Sequence, residues 1–206
     1  PTIFGAFGSG DKPRFTSSVK DYAKDVIWKE VGGKNANVWV IDAPEFILEG
    51  AVDPAPTNVI FDNGDTVGLR KGFPVGLDPQ NEKLYTLYNQ GDFAYDEANK
   101  KLYLYSLYNP NQYDSIEISR GIICISLVFG ADYFVVDNLN IHGFGRFAIQ
   151  GPTGNQGLTV TNCEIGFSGG VKHQNTAEAV NRYGNAIEFW DGGADFHVNY
   201  NWIYQT

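Results

Sequence analysis

One short phrase recurs through the last third of the chain: VDNLNI from Val136, VTNCEI from Val160 and VNYNWI from Val198. The first step is 24 residues and the second 38, an excess of 14. A second set of positions gives the same result. Short apolar stretches around Ile125, Ile149 and Ile187 are separated by the same 24 and 38. Two agreeing registers mean that one structural unit is repeated and that one repeat is enlarged. A fixed period of this size is the signature of stacked units, each pairing only with its neighbours. The enlargement matches a polar run, VKHQNTAEAVNRYG, at 171–184.

The pattern inside each unit selects the kind of stack. Ile123 and Ile125, Phe147 and Ile149, and Ile187 and Phe189 alternate with smaller or polar residues, which is strand periodicity. Glycines punctuate the strands, and no helix-length amphipathic pattern intervenes. The phrase V-x-[NY]-x-x-I sets two apolar residues five apart, an offset that one straight strand cannot place on one face. The chain therefore bends at Asn138, Asn162 and Tyr200, where an amide is expected to bond to its counterpart in the next unit. These readings predict an all-β chain whose repeating part is a parallel β-helix.

Residues 121–206 resemble the right-handed parallel β-helix proteins of the pectate-lyase-like superfold, and PTIFGAFGSGDKPRF at the start resembles an early coil of such proteins. The resemblance implies carbohydrate chemistry: polysaccharide lyases, glycoside hydrolases and uronate epimerases share this architecture. It implies the fold more directly than the reaction. It also makes a secreted or cell-surface location the expectation.

The expected organisation is one β-helix domain over 1–206, with regular coils over 120–206 and a loop insertion at 171–184. Between 21 and 119 the 24-residue step is not visible, and an antiparallel excursion is expected there. Within it, DFAYD and KLYLYS flank EANK as a hairpin, with Phe93 and Tyr95 expected to face Tyr103 and Tyr105. The surrounding tyrosines read mainly as packing residues, with a sugar-stacking platform as the alternative. The chain starts at Pro1, contains no Met and stops one strand into a unit, so it is expected to be a piece of a longer protein.

Composition narrows the partners. A net charge of −9 argues against a nucleic-acid backbone, and an anionic substrate would need a local basic site. No apolar run is long enough to be a membrane span, so no membrane insertion is expected. Cys124 and Cys163 read as buried free thiols. Motifs for a P-loop, a serine hydrolase elbow or a zinc site are missing, and no cofactor is expected.

The chemistry is then expected from geometry. If Ile125, Ile149 and Ile187 point inward, Ser126, Gln150 and Glu188 form an outward row on which an extended glycan can lie. Glu188 and Asp191 are the candidate acid and base of a hydrolase, with Asp195 in reserve. Trp190 offers a stacking face, and Gln150 a binding amide. The insertion contributes His173 and Arg182 as candidate catalytic groups of a lyase or epimerase, and Lys172 and Tyr183 as binding groups. Asp191 and Asp195 together are the one possible Ca²⁺ site, and His197 reads as structural. The competing class is a non-catalytic β-helix adhesin, tail-spike segment or glycan-binding module.

Overall fold

The computed structural model describes residues 1–46, 55–74, 76–151, 153–172 and 182–206. Strands make up 41% of the structure and helical turns 5%, so the protein is all-β. It divides into two compact units, one formed by 1–17 together with 121–206 and the other by 18–120. The excursion expected over 21–119 falls inside the second.

The first unit contains three parallel sheets. One runs Thr2–Gly5, Phe134–Asp137, Thr159–Thr161, His197–Asn199; another runs Arg14–Thr16, Asn140–His142, Glu164–Gly166, Trp202–Tyr204. The third holds Ile123–Ser126, Phe147–Gly151 and Asn185–Phe189. From Ile123 onward the chain visits the third sheet, then the first, then the second, and repeats this circuit. The repeat seen in the sequence is the register itself: Val136 pairs with Val160 and Val160 with Val198, while Ile125 pairs with Ile149 and Ile149 with Ile187. The N-terminal strands join the same ladders, Phe4 beside Val136 and Phe15 beside Ile141.

Matching positions supply the core. Val136, Ile141, Ile149, Val160 and Ile165 are buried together with Leu139 and Cys163. Each large aliphatic side chain there stabilises the fold by roughly 1.5–3 kcal/mol relative to exposure. Both cysteines are free, and burial pushes the Cys124 thiol up to about 12, so it serves as an apolar residue at neutral pH.

The bends fall where the sequence puts them. Asn138, Asn162 and Tyr200 have φ of 56°, 52° and 55°, the left-handed region that Asn tolerates better than other non-glycine residues. The bonding between circuits differs from the expectation. Asn162 donates to the Asp137 carboxylate (2.9 Å) and not to Asn138. A second amide between circuits belongs to Asn201, one position after the bend residue Tyr200: it accepts from the Cys163 N–H and donates to the Val160 carbonyl, both at 2.8 Å. The left-handed conformation at Asn162 suits glycine and disfavours alanine. Asn162→Gly is therefore expected to change stability little, whereas Asn162→Ala costs about 1–2 kcal/mol, measured by urea unfolding.

The second unit is antiparallel. Lys29–Gly32, Asn35–Asp42, Lys101–Tyr105 and Phe93–Asp96 form one sheet in that order, and Thr66–Val67, Val59–Phe61 and Ile116–Ile118 form another. Tyr22, Trp28, Phe46, Phe61 and Phe93 are among the residues of its core. The EANK hairpin is present, with Asp96 opposite Lys101 and the Asp96 carboxylate accepting from the Ala98 and Asn99 amides. Its aromatic residues do not pair as expected. Phe93 lies across from Leu104, Tyr95 from Leu102 and Ala94 from Tyr103. The four-residue loop fixes this register, and a one-residue slip exchanges the two faces of a strand.

Candidate functional site

The strand Asn185–Phe189 starts directly after Gly184, where the enlarged repeat rejoins the regular circuit. Gly184 has φ of 126° and lies so close to the Arg146 carbonyl and Gly169 that a Cβ would collide with both. Across from it, Gly169 donates to the Phe144 carbonyl (2.9 Å) and Val171 to that of Gly145 (3.1 Å). From this foot the insertion leaves as an antiparallel ribbon, with Val171 paired to Tyr183 and Lys172 to Arg182. Residues 173–181, including His173 and Glu178, lie outside the described residues.

On the third sheet the register sets Ser126 beside Gln150 and Gln150 beside Glu188, in one row across three strands. The neighbouring row, Ile125, Ile149 and Ile187, packs on the core. Glu188 is half-buried and its carboxylate is held by two donors. The Gln150 amide reaches Oε2 at 3.2 Å and the Trp190 indole N–H reaches the same oxygen at 2.8 Å. The Asn185 amide stands 3.5 Å from Oε1. These bonds fix the orientation of the carboxylate at the end of the row.

Trp190 is placed by its backbone, whose N–H donates to the Gly151 carbonyl (3.0 Å). That bond keeps the indole at the end of the row, where it is 51% exposed. Asp191 follows in an exposed turn, and its carbonyl accepts from the Gly154 N–H (3.1 Å). Asp195 is exposed with φ of 58°, and His197 lies exposed in the strand beside Thr159. Among the described residues, no group of three or more His, Cys, Asp or Glu side chains could hold a metal ion.

The loops leaving this sheet add two rings that the sequence reading did not single out. Phe129 is 81% exposed and lies against Gly154; Tyr133 is 58% exposed and lies against Gly157. A Cβ at Gly157 would collide with the Tyr133 ring. Tyr133 is itself held at φ of 54°, its N–H bonded to the Gln156 carbonyl (2.8 Å), while the Asp132 carboxylate accepts from the Gln156 N–H (2.9 Å). The signal for Tyr133 was available: Gly157 follows it by one 24-residue step.

The structure thus brings Gln150, Glu188 and Trp190 into direct contact and places Asp191 at the next turn. Lys172 and Arg182 are register partners in the ribbon. No family model, curated protein or solved structure matches the chain, so the site is interpreted from its own geometry.

Proposed function

We propose that the first unit is a right-handed parallel β-helix and that the protein is a polysaccharide-active enzyme of hydrolase type, with the Ser126–Gln150–Glu188 row as its glycan-binding face. The three-sheet circuit and parallel pairing support the architecture, and crossovers between parallel strands of one sheet are right-handed in nearly all proteins. The observation that carries the function is the Glu188 carboxylate, oriented by Gln150 and Trp190 at the edge of a row beside exposed aromatic rings. Such rings supply flat apolar faces for pyranose sugars at low entropic cost.

In this reading Glu188 acts as the base or nucleophile at the anomeric centre. Asp191, exposed one turn on, donates the proton to the departing oxygen. Gln150 orients Glu188, and Trp190 both orients it and stacks on the sugar. Secretion or display at the cell surface, where polysaccharides are met, belongs to the same proposal.

A second reading rests on the register of Lys172 with Arg182. Paired cations at the ribbon would neutralise a uronate carboxylate and serve a lyase. Product analysis on a panel of polysaccharides separates the two. New reducing ends without a rise in ultraviolet absorbance are expected; unsaturated ends that raise it would point to the lyase, and no products at all to a non-catalytic glycan-binding module. Trp190→Ala is expected to weaken glycan binding about tenfold in a calorimetric titration, since an aromatic ring stacked on a sugar contributes about 1 kcal/mol or more. Unchanged affinity would remove the ring from the binding face.

A further inference from the structure

The second unit carries an exposed aromatic groove of its own. Its loop, LYTLY at 84–88, alternates between anchor and display. Leu84 and Leu87 are buried with Val38, Ala94 and Tyr103, while Tyr85 and Tyr88 are 77% and 62% exposed. The loop is held from beneath by Asn35, which is almost wholly buried. The Asn35 amide donates to the carbonyls of Pro79 and Glu82 (both 2.7 Å) and accepts from the Leu84 N–H (2.8 Å). The buried Asp92 carboxylate takes the N–H groups of Tyr88 (3.2 Å) and Asn89 (2.9 Å). Two exposed rings are thus fixed on a preorganised backbone, which lowers the entropic cost of binding.

Cations surround these rings. Lys83 lies 5.3 Å from the Tyr85 ring centre and Lys71 lies 5.2 Å from that of Tyr88. Lys34, bonded to the Asn81 carbonyl (3.0 Å), stands beside them. A hollow of about 330 Å³ is lined by Lys34, Asn37, Lys83, Tyr85, Tyr88 and Tyr105 among others. Glu82 borders the adjoining hollow, its carboxylate accepting from the Asp78 N–H (2.9 Å). Lys71 is ion-paired with the buried Asp92 carboxylate (3.4 Å), but among the described residues the lining of the 330 Å³ hollow holds Lys34 and Lys83 and no carboxylate.

We propose that this groove is a second, non-catalytic binding site for an anionic glycan, with Tyr85 and Tyr88 stacking on pyranose rings and Lys34 and Lys83 pairing with carboxylate or sulfate groups. Charge complementarity selects the ligand class: a neutral glycan would use the tyrosines but offer no anionic partner to the two ammonium groups, which among the described residues otherwise meet only the Asn81 carbonyl and the Tyr85 ring. The proposal stands independently of the Glu188 reading, because no reacting group takes part.

The test is calorimetric titration of the full chain with hexagalacturonate (carboxylate only), a carrageenan hexasaccharide (sulfate only) and cellohexaose (neutral). At least one anionic hexasaccharide is expected to bind at least about tenfold more tightly than cellohexaose. Its affinity should fall as NaCl rises from about 0.05 to 0.5 M. Whichever anion binds more tightly identifies carboxylate or sulfate as the recognised group. Tyr85→Ala and the double variant Lys34→Gln/Lys83→Gln should each weaken that binding about tenfold. All three positions are exposed, so folding is expected to persist and is checked by circular dichroism. Glu188→Gln should leave this affinity unchanged, which separates the groove from the row on the first unit. The proposal is overturned by cellohexaose binding equally well, by no binding of either anion, or by unaltered affinity in the Tyr85 and lysine variants.

Discussion

Glu188→Gln is expected to lower turnover of the responsive polysaccharide by about 10²–10⁴-fold, with little change in KM. The reason is local. Gln is nearly isosteric with Glu, and its carbonyl oxygen can still accept from the Trp190 indole, which lies 2.8 Å from Glu188 Oε2. The row and the placement of Trp190 should therefore persist while the negative charge is lost. A base or nucleophile depends on that charge; a hydrogen-bonding or purely structural residue does not. Asp191→Asn provides the contrast. If Asp191 protonates the leaving oxygen, its variant should recover activity on an aryl glycoside whose leaving group needs no proton, whereas Glu188→Gln should not. Rates measured by reducing-end release decide the matter. Glu188→Gln turning over within about threefold of the parent would falsify a catalytic role for this carboxylate and leave a glycan-binding face.

The second large effect is expected at the foot of the insertion. Gly184→Ala should destabilise the protein by about 3 kcal/mol or more, seen as a lower urea midpoint at an unchanged slope. Two costs add. At φ of 126° an L side chain is disfavoured, and the new Cβ would meet the Arg146 carbonyl oxygen and, at 2.7 Å, the Gly169 Cα. Both neighbours are backbone and cannot rotate aside. Gly130→Ala isolates the first cost: its φ is 78°, but nothing lies within 4 Å of the added carbon. That variant should lose only about 1–2 kcal/mol. Equal losses in the two variants would show that the close approach at the ribbon's foot contributes nothing.

Much of the first unit was legible because its contacts repeat in sequence. A ladder that pairs Ile125 with Ile149 and Val136 with Val160 writes its spacing into the chain, and the same spacing located the row that contains Gln150 and Glu188. The orientation of Trp190 was not legible. Its indole returns to a residue two positions earlier, a rotamer choice that no spacing records. Phe129 and Tyr133 were hidden in loops, where the glycines they lie against carry the information. In the second unit, antiparallel pairing leaves no period, so the order of its sheets could not be read. There the aromatic hairpin was located correctly but paired one residue out of register, because loop length sets which face Phe93 shares.

The sheet pairings also have a consequence for how the chain is made. Thr2–Gly5 and Arg14–Thr16 lie beside Phe134–Asp137 and Asn140–His142, with 18–120 forming a compact unit of its own between them in sequence. During synthesis the N-terminal strands emerge first, yet their ladder partners are not made until the whole intervening unit has left the ribosome. Domains generally fold as they emerge, so the second unit has the opportunity to form while the strands at 2–5 and 14–16 wait, with the apolar residues Ile3, Phe4 and Phe15 outside their ladders. These two strands are thus among the last parts of the fold to be completed. Nascent chains halted before Phe134 should therefore be cleaved by protease within 2–16 while 18–120 resists.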